Sequence, residues 1–244
     1  MPWITEVPLA HRGLHGAGAP ENSLTAFRRA VEAGVGIELD VHRCADGDAV
    51  VVHDADLERV TGRPGLVAEL TARELAGYEL SGGDGEGVPT LGDVLDLVGG
   101  RVPVMVELKS FDRRVGPLER AVLDRISGYR GGVAVASFNP ATVDWYRVHA
   151  TGVARGQTAG SLRGSSMPAW LRPMLASMLL NHRTQPHFLS YELSGLPNRW
   201  ASAWRARGRP LVAWTVRNRA DLAHARATAD NVIFEGLAPT DVRG

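Results

Sequence analysis

Cysteine and lysine are almost absent from this sequence of 244 residues, which contains one of each, Cys44 and Lys109. A single cysteine excludes an intrachain disulfide, and it leaves no thiolate set for a zinc site or an iron–sulfur cluster. All other residues with a permanent positive charge are arginines, which makes Lys109 conspicuous.

An excess of charge of either sign is also missing. The 27 lysines and arginines equal the 27 aspartates and glutamates, so the formal net charge is zero. No general electrostatic field would draw such a chain onto nucleic acid or an anionic membrane. We therefore expect no nucleic-acid partner, and any phosphate recognition must be local.

Long apolar runs are absent as well. The N-terminal sequence MPWITEVPLAHRG lacks the basic start and the apolar run of a signal peptide. No stretch approaches the roughly 20 apolar residues that a membrane-spanning helix needs. The sequence thus favours a cytoplasmic protein without stable membrane insertion, and it does not indicate an oligomeric state.

Short apolar runs rich in β-branched residues alternate with longer stretches of helical spacing, as in βαβ units around a parallel sheet. This rhythm and the length predict a single-domain α/β protein over residues 1–244, a TIM-type (β/α)₈ barrel. The predicted strands are Val7–Ala10, Gly36–Val41 with a follower at Ala49–Val52, Val102–Leu108, Gly132–Ala136, Gly152–Arg155, His187–Ser190, Pro210–Thr215 and Asn231–Phe234. The predicted helices are Leu24–Ala33, Leu91–Val98, Leu118–Ile126, Pro140–His149, Leu196–Ala206 and Arg219–Ala227.

Two segments interrupt the rhythm. Residues Asp54–Pro89 form a long, glycine-rich excursion after the second strand unit. The segment Thr158–Pro186 contains apolar residues at helical spacing, namely Trp170, Leu171, Met174, Leu175, Met178 and Leu179. This face is typical of a helix packed on the core, and the alternative is an exposed lid or acyl-binding surface.

Ionisable residues stand near the ends of the predicted strands, and the carboxyl ends of barrel strands carry the catalytic sites of this fold. His11 and Arg12 follow the first strand, and His53 ends the follower strand. A histidine exchanges protons near neutral pH, and an arginine fork suits two phosphate oxygens. Two histidines across a metal-bound phosphodiester would supply one base and one acid.

Acidic residues lie inside two of these strands. Glu38 and Asp40 are two residues apart and share a face, as do Glu107 and Lys109 on the next barrel strand. Buried carboxylates repel one another unless a cation compensates them. Three carboxylates suit Mg²⁺, Ca²⁺ or Mn²⁺ better than zinc, so the sequence predicts one divalent metal ion.

Five ordered motifs cover most of the first 110 residues: AHRG, ENSLTAF, GIELDVHRCADGDAVVVHDADLERVTGRPG, VPTLGDVL and VPVMVELK. Together they resemble the signature of the glycerophosphodiester phosphodiesterase family. The resemblance implies metal ligation by Glu38, Asp40 and Glu107, acid–base catalysis by His11 and His53, phosphate contacts from Arg12 and Lys109, and bracing by Glu21 and Asn22.

The second half resembles the family more thinly, through Ser137-Phe138-Asn139, Gln157 and the run Val212–Val216. There Trp214 would offer a flat wall to the glycerol moiety, or it packs in the core. The chain departs from the family pattern at Arg217, which intervenes before Asn218, and at Glu235, which replaces a usual aspartate.

The leading functional hypothesis is metal-dependent hydrolysis of a small-molecule glycerophosphodiester to glycerol 3-phosphate and an alcohol. One alternative is a lysophospholipase D that binds an acyl chain on the face from Trp170 to Leu179. Another is a catalytically silent barrel that binds phosphodiesters or a partner protein, since fold alone does not guarantee activity.

Overall fold

The structure is a computed structural model that describes residues 1–110, 115–160 and 179–243. Its residue contacts divide the chain into two compact units, one formed by Leu9–Val133 and the other by Met1–Pro8 with Ala134–Gly244. The extent of the domain, residues 1–244, remains a prediction. The apolar face predicted from Trp170 to Met178 lies outside the described residues.

The described residues of the unit Leu9–Val133 form four strands, with β2 at the centre. Its strands are β1 (Leu9–His11), β2 (Gly36–Arg43), β3 (Ala49–Val51) and β4 (Val104–Leu108). Strands β1 and β4 pair with β2 in parallel, and β3 pairs antiparallel with the end of β2. Its helices are α2 (Leu24–Ala33), α3 (Glu58–Thr61), α4 (Ala72–Leu75), α5 (Leu91–Val98) and α6 (Pro117–Ile126), with a 3₁₀ turn at Val67–Glu69.

Where the structure describes it, the other unit has five strands in parallel succession. They are β5 (Val133–Ser137), which starts at the boundary, β6 (Ala154–Ala159), β7 (Phe188–Glu192), β8 (Leu211–Val216) and β9 (Asn231–Phe234). Its helices are α1 (Trp3–Glu6), α7 (Pro140–His149), α8 (Asn181–Thr184), α9 (Arg199–Arg205), α10 (Arg219–Thr228) and α11 (Pro239–Val242), with a 3₁₀ turn at Leu193–Gly195.

The parallel strand order is β1-β2-β4 in the unit Leu9–Val133, with β3 antiparallel to β2, and β5-β6-β7-β8-β9 in the other unit. This succession of parallel strands, with helices between them, is that of a TIM-type (β/α)₈ barrel. The fold class predicted from the sequence is therefore confirmed. No helix in the described part of the chain has the length and apolar composition needed to cross a bilayer.

Local capping chemistry explains where the predicted helices begin and end. Ser23 accepts a hydrogen bond from the amide of Ala26 at the start of α2, and Gly34 ends that helix in the left-handed conformation. The helix predicted at Leu196–Ala206 is wrong in its first turn. Asn198 accepts hydrogen bonds from two following amides, so α9 begins only at Arg199.

The excursion Asp54–Pro89 folds around a small core of its own. Nine buried apolar residues pack together beneath it, namely Cys44, Val50, Val52, Leu57, Val60, Val67, Leu75, Leu80 and Val88. Partly buried side chains from the excursion cover this buried set. Because Cys44, Val50 and Val52 belong to β3 and its flanks, the excursion is fixed to the strand hairpin that precedes it.

Candidate active site

Parallel strand register brings the three predicted acids together in the unit Leu9–Val133. His11 is the Cα partner of Glu38, and Asp40 is the Cα partner of Glu107. The three carboxylates each offer an oxygen, and these oxygens lie within 4.8 Å of one another. The residues are 4%, 2% and 9% exposed in chain order, so the cluster is buried.

Burial makes the charges of this cluster interdependent. Burial and the neighbouring charges of Asp40 and Glu107 raise the pKa of Glu38 well above its ordinary value. Burial alone would also raise the pKa of Asp40, but Lys109 and Arg12 hold that pKa far below its ordinary value. Asp40 is thus strongly stabilised as an anion, whereas Glu38 is not.

The cluster fits a hard divalent cation. Two basic side chains contact it, yet burial and repulsion still disfavour the charged form of Glu38. A further positive charge bound by the carboxylate oxygens would relieve that repulsion. All three donors are oxygens, which suits Mg²⁺, Ca²⁺ or Mn²⁺. The described residues therefore offer an acidic cluster that can hold a metal.

Lys109, predicted to contact phosphate, has its ammonium group between two of the acids. Its Nζ lies 2.8 Å from Asp40 Oδ1 and also pairs with Glu107, and its side chain is only 6% exposed. Burial would lower the pKa of Lys109, but the charges of Asp40 and Glu107 raise it above its ordinary value. Lys109 is thus a permanent cation within the cluster.

Arg12 adopts a backbone conformation that turns both its amide and its side chain toward the acids. Its φ is +54°, in the left-handed region, and its amide donates to Glu38 Oε2 at 3.2 Å. Its guanidinium donates to Glu21 Oε1 at 2.8 Å, and its Nε lies 3.1 Å from Asp40 Oδ2. The phosphate-binding role predicted for Arg12 is compatible with this position beside the acidic cluster.

Two neighbours secure this turn. Gly13, with φ +82°, has no room for a side chain, because a Cβ there would lie 2.9 Å from the Cβ of Ala26. The backbone N–H of Asn22 donates a hydrogen bond to the carbonyl oxygen of Arg12 at 2.9 Å, and its side-chain Nδ2 donates to Asp40 Oδ2 at 3.0 Å. Asn22 is 2% exposed and lies where the sequence predicted a bracing residue.

His53 is held by its neighbour in sequence. Its Nδ1 lies 2.6 Å from Asp54 Oδ1, and its carbonyl oxygen is 2.9 Å from the ring Nε2 of His42. Burial lowers the pKa of His53, as do the charges of Lys109 and Arg12, against an opposing effect of Asp40. The contact with Asp54 engages Nδ1 and so orients the ring.

Arg59 and Asp54 belong to this arrangement, and the sequence reasoning did not identify them. Arg59 Nε pairs with Asp54 Oδ2, while Nη2 and Nη1 donate to Glu21 at 2.7 Å and 3.2 Å. These hydrogen bonds raise the pKa of Arg59. The adjacency of Asp54 to His53 is a signal in the sequence, but the pairing of Arg59 with Glu21 spans 38 positions.

The remaining predicted residues take their places on separate strands. His11 ends β1 and is partly buried. Trp214 lies on β8 in the other unit, where its ring meets that of Phe138 edge-on at 5.7 Å between centroids. Trp214 also lines a cavity of about 470 Å³ in that unit, together with Glu192 and Asp221. The ring of Trp214 therefore packs against Phe138 and also faces this cavity.

The two departures from the expected family pattern contact each other. Arg217 Nη2 lies 3.4 Å from Glu235 Oε2. Asn218, displaced by one position, accepts a hydrogen bond from the amide of Asp221 and caps α10. The extra residue is therefore accommodated by a helix cap and an ion pair.

Sequence comparison connects this arrangement with known proteins. The profile of the glycerophosphoryl diester phosphodiesterase family matches residues 11–235. A glycerophosphodiester phosphodiesterase from Caldanaerobacter subterraneus subsp. tengcongensis is 36% identical over 140 residues, which are 54% of this chain and 57% of that protein. One from Bacillus altitudinis is 38% identical over 142 residues, which are 53% of this chain and 57% of that protein. The matched region thus spans little more than half the length of these curated relatives.

Structural comparison agrees on the fold. A phosphodiesterase from Oleispira antarctica, solved in complex with the product sn-glycerol-3-phosphate, matches with a TM-score of 0.79. The match covers 96% of this chain and 94% of that protein, at 23% sequence identity. At that identity, the likeness concerns the fold alone.

Proposed function

The chain belongs to the glycerophosphoryl diester phosphodiesterase family, and from that membership and the geometry of its site we propose that it hydrolyses glycerophosphodiesters to glycerol 3-phosphate and an alcohol. The curated relatives carry the name of this activity. The Oleispira antarctica phosphodiesterase, which shares the fold, binds the product sn-glycerol-3-phosphate. The reaction is one that a metal-assisted site with two histidines can catalyse.

The observation that carries this proposal is the acidic cluster with a guanidinium beside it. Glu38, Asp40 and Glu107, on the neighbouring strands β2 and β4, place three oxygens within 4.8 Å of one another. Arg12 Nε lies 3.1 Å from one of these acids. A phosphodiester that entered this site would meet a divalent cation and an arginine together, which is the pairing that binds and polarises phosphate oxygens.

When bound by the three carboxylates, a divalent metal ion supplies positive charge that offsets the negative charge of the phosphoryl oxygens. Arg12 would orient the phosphate with its planar fork. Lys109 keeps Asp40 ionised, and thus able to act as a ligand, and it also pairs with Glu107. Trp214 would form a wall for the glycerol moiety.

The two histidines would transfer the protons. One removes the proton of the nucleophile, which is water or the glycerol hydroxyl beside the phosphate, and the other donates a proton to the oxygen of the leaving alcohol. Attack by water gives glycerol 3-phosphate directly, whereas attack by the glycerol hydroxyl gives a cyclic phosphate that water then opens to glycerol 3-phosphate. His53 can do either through Nε2, because its Nδ1 is engaged by Asp54. His11, the strand partner of Glu38, lies on the adjacent strand β1.

The test measures glycerol 3-phosphate released from glycerophosphocholine and glycerophosphoethanolamine. The protein is first treated with a chelator, and Mg²⁺, Ca²⁺ or Mn²⁺ is then added back separately. We expect release only with a divalent metal ion. If no metal supports release, a long-chain lysophospholipid is the next substrate, and failure there would leave the silent, binding barrel as the better hypothesis.

Histidine variants assign the catalytic groups. His11→Ala and His53→Ala should each abolish turnover while the protein still unfolds cooperatively at a temperature near that of the wild type. His149→Ala is the matched control, because His149 is exposed and stacks on Trp145 in the other unit. Substantial turnover in either active-site variant would contradict the assignment.

A further inference from the structure

One guanidinium group, that of Arg59, contacts the partners of two proposed active-site residues at once. Its Nε pairs with Asp54, which holds His53, and its Nη atoms donate to Glu21, which holds Arg12. We propose that Arg59 is a positioning residue that fixes the imidazole of His53 and the guanidinium of Arg12 relative to each other. This inference rests on the proposed function, in which His53 transfers a proton and Arg12 binds the phosphate.

The contact of Arg59 with Asp54, the first arm of the arrangement, holds the imidazole of His53 in place. Asp54 uses Oδ1 for His53 Nδ1 at 2.6 Å and Oδ2 for Arg59, so each oxygen of the carboxylate has one cationic or N–H partner. Burial would raise the pKa of Asp54, but the hydrogen bonds from Arg59 and His53 lower it. Without Arg59, the carboxylate could rotate about its side-chain bonds, and the ring of His53 would lose its fixed acceptor.

The contacts of Arg59 with Glu21, the second arm, hold the guanidinium of Arg12 in place. Glu21 accepts from Arg12 Nη1 at 2.8 Å and from both Nη atoms of Arg59. The side chains of Glu21 and Arg12 are 20% and 16% exposed, whereas that of Arg59 is 51% exposed. Arg59 is therefore the most exposed member of this group, and it holds Glu21 from the solvent side of the pair.

Only an arginine can serve both arms. The two carboxylates accept from three different nitrogens of the same planar group. A lysine has its three donors on a single nitrogen and cannot present a fork of fixed geometry to two separate carboxylates. We therefore expect Arg59→Lys to preserve the charge but not the positioning.

The excursion supplies a firm base for this side chain. Arg59 lies on α3, whose N-cap residue Leu57 and whose own Val60 both belong to the small apolar core. Across the excursion, Glu86 Oε2 accepts from the amide of Thr25 at 3.2 Å, close to the start of α2. The excursion is thus tied both to the strand hairpin and to the helix that follows Glu21 and Asn22.

Kinetics separate the two arms. Asp54→Asn should lower kcat with little change in KM, and Glu21→Gln should raise KM with little change in kcat. Arg59→Met and Arg59→Lys should each lower kcat and raise KM. Each of these changes should be about 10- to 100-fold, as is usual for partners that orient active-site groups. The double variant of Arg59→Met with Asp54→Asn should show a kcat no lower than Asp54→Asn alone.

A matched control and chemical rescue exclude a merely structural role. Arg73→Met removes an exposed arginine from the same excursion and should leave kcat and KM unchanged. Added guanidinium at millimolar concentration should restore activity to Arg59→Ala in a saturable way, because the site of the missing group is open to solvent. Equal kinetics for Arg59→Met and Arg73→Met would overturn the proposal.

A nuclear magnetic resonance measurement tests the first arm without any turnover. Long-range ¹H–¹⁵N spectra, with the His53 signals assigned by their loss in His53→Gln, report which ring nitrogen carries the proton. At a pH where the ring is neutral, the wild type should show protonated Nδ1, and Arg59→Met should show a mixture of tautomers. An unchanged Nδ1 proton in Arg59→Met would overturn the proposal even if the wild type hydrolysed no glycerophosphodiester.

Discussion

Replacing Glu38 by glutamine should stabilise the protein without metal and weaken its response to metal. Glu38 is 4% exposed, and burial together with Asp40 and Glu107 raises its pKa. The folded-state pKa lies above the unfolded one, so stability is highest below the unfolded pKa and falls as the pH rises through the folded pKa. Above the folded-state pKa of Glu38 the wild type bears this penalty in full, and Glu38→Gln does not bear it at any pH.

The magnitude follows from the size of the shift. Each unit by which the pKa is raised corresponds to about 1.4 kcal/mol of stability lost at high pH. For a chain of this length, about 1 kcal/mol corresponds to a change in Tm of roughly 2–4 °C. Glutamine has nearly the same shape, its carbonyl oxygen can accept the hydrogen bond from the amide of Arg12, and its amide group can donate to a neighbouring carboxylate.

Added metal should make the wild type more thermally stable than Glu38→Gln, which is the reverse of their order in chelator. At a concentration of about 100 times its Kd, a metal ion adds about 2.7 kcal/mol to the wild type, and Glu38→Gln should gain much less because it lacks one charged ligand. Thermal unfolding at pH 8, with chelator and then with Mg²⁺ or Ca²⁺, measures both effects. Glu32→Gln, an exposed control, should behave as the wild type. A lower Tm for Glu38→Gln in chelator would refute the reasoning.

Other perturbations test the surroundings of the site. Lys109→Met should cost about 3–5 kcal/mol in urea unfolding at neutral pH, because it leaves Asp40 and Glu107 buried without their cation; a cost below 1 kcal/mol, on the order of a surface substitution, would contradict this. Leu57→Ala should cost about 2–5 kcal/mol, because Leu57 is fully buried in the core of the excursion. Burial raises the pKa of the Cys44 thiol to about 11, so iodoacetamide should label it at pH 8 only after unfolding.

Much of the site could be predicted because it depends on strand periodicity. Glu38 and Asp40 share a face by their spacing alone, and Glu107 occupies the corresponding position on the neighbouring strand. The parallel register of β2 and β4 then sets Asp40 beside Glu107. Most helix boundaries were close as well, because glycines and capping side chains mark them in the sequence. The strand predicted at Gly152–Arg155 was less accurate, since β6 extends to Ala159.

What escaped prediction depends on a long-range contact. Arg59 lies in the excursion, and its position beside Glu21 follows from the way that the small apolar core folds the segment back. Lys109 was expected at a phosphate, but its spacing of two residues from Glu107 also places its ammonium near that carboxylate. Pairing among residues of opposite charge in a buried cluster cannot be read from their order along one strand.

The small core beneath the excursion has a consequence for protein engineering. Loops on this fold are commonly exchanged to alter substrate range, on the premise that they are independent of the scaffold. Here Cys44, Val50 and Val52 of the strand hairpin are buried with the excursion, so a transplanted segment would have to match that apolar surface. Grafts in this protein should therefore carry the hairpin from Arg43 through Pro89 as one module, with Glu21 retained as the acceptor for its arginine.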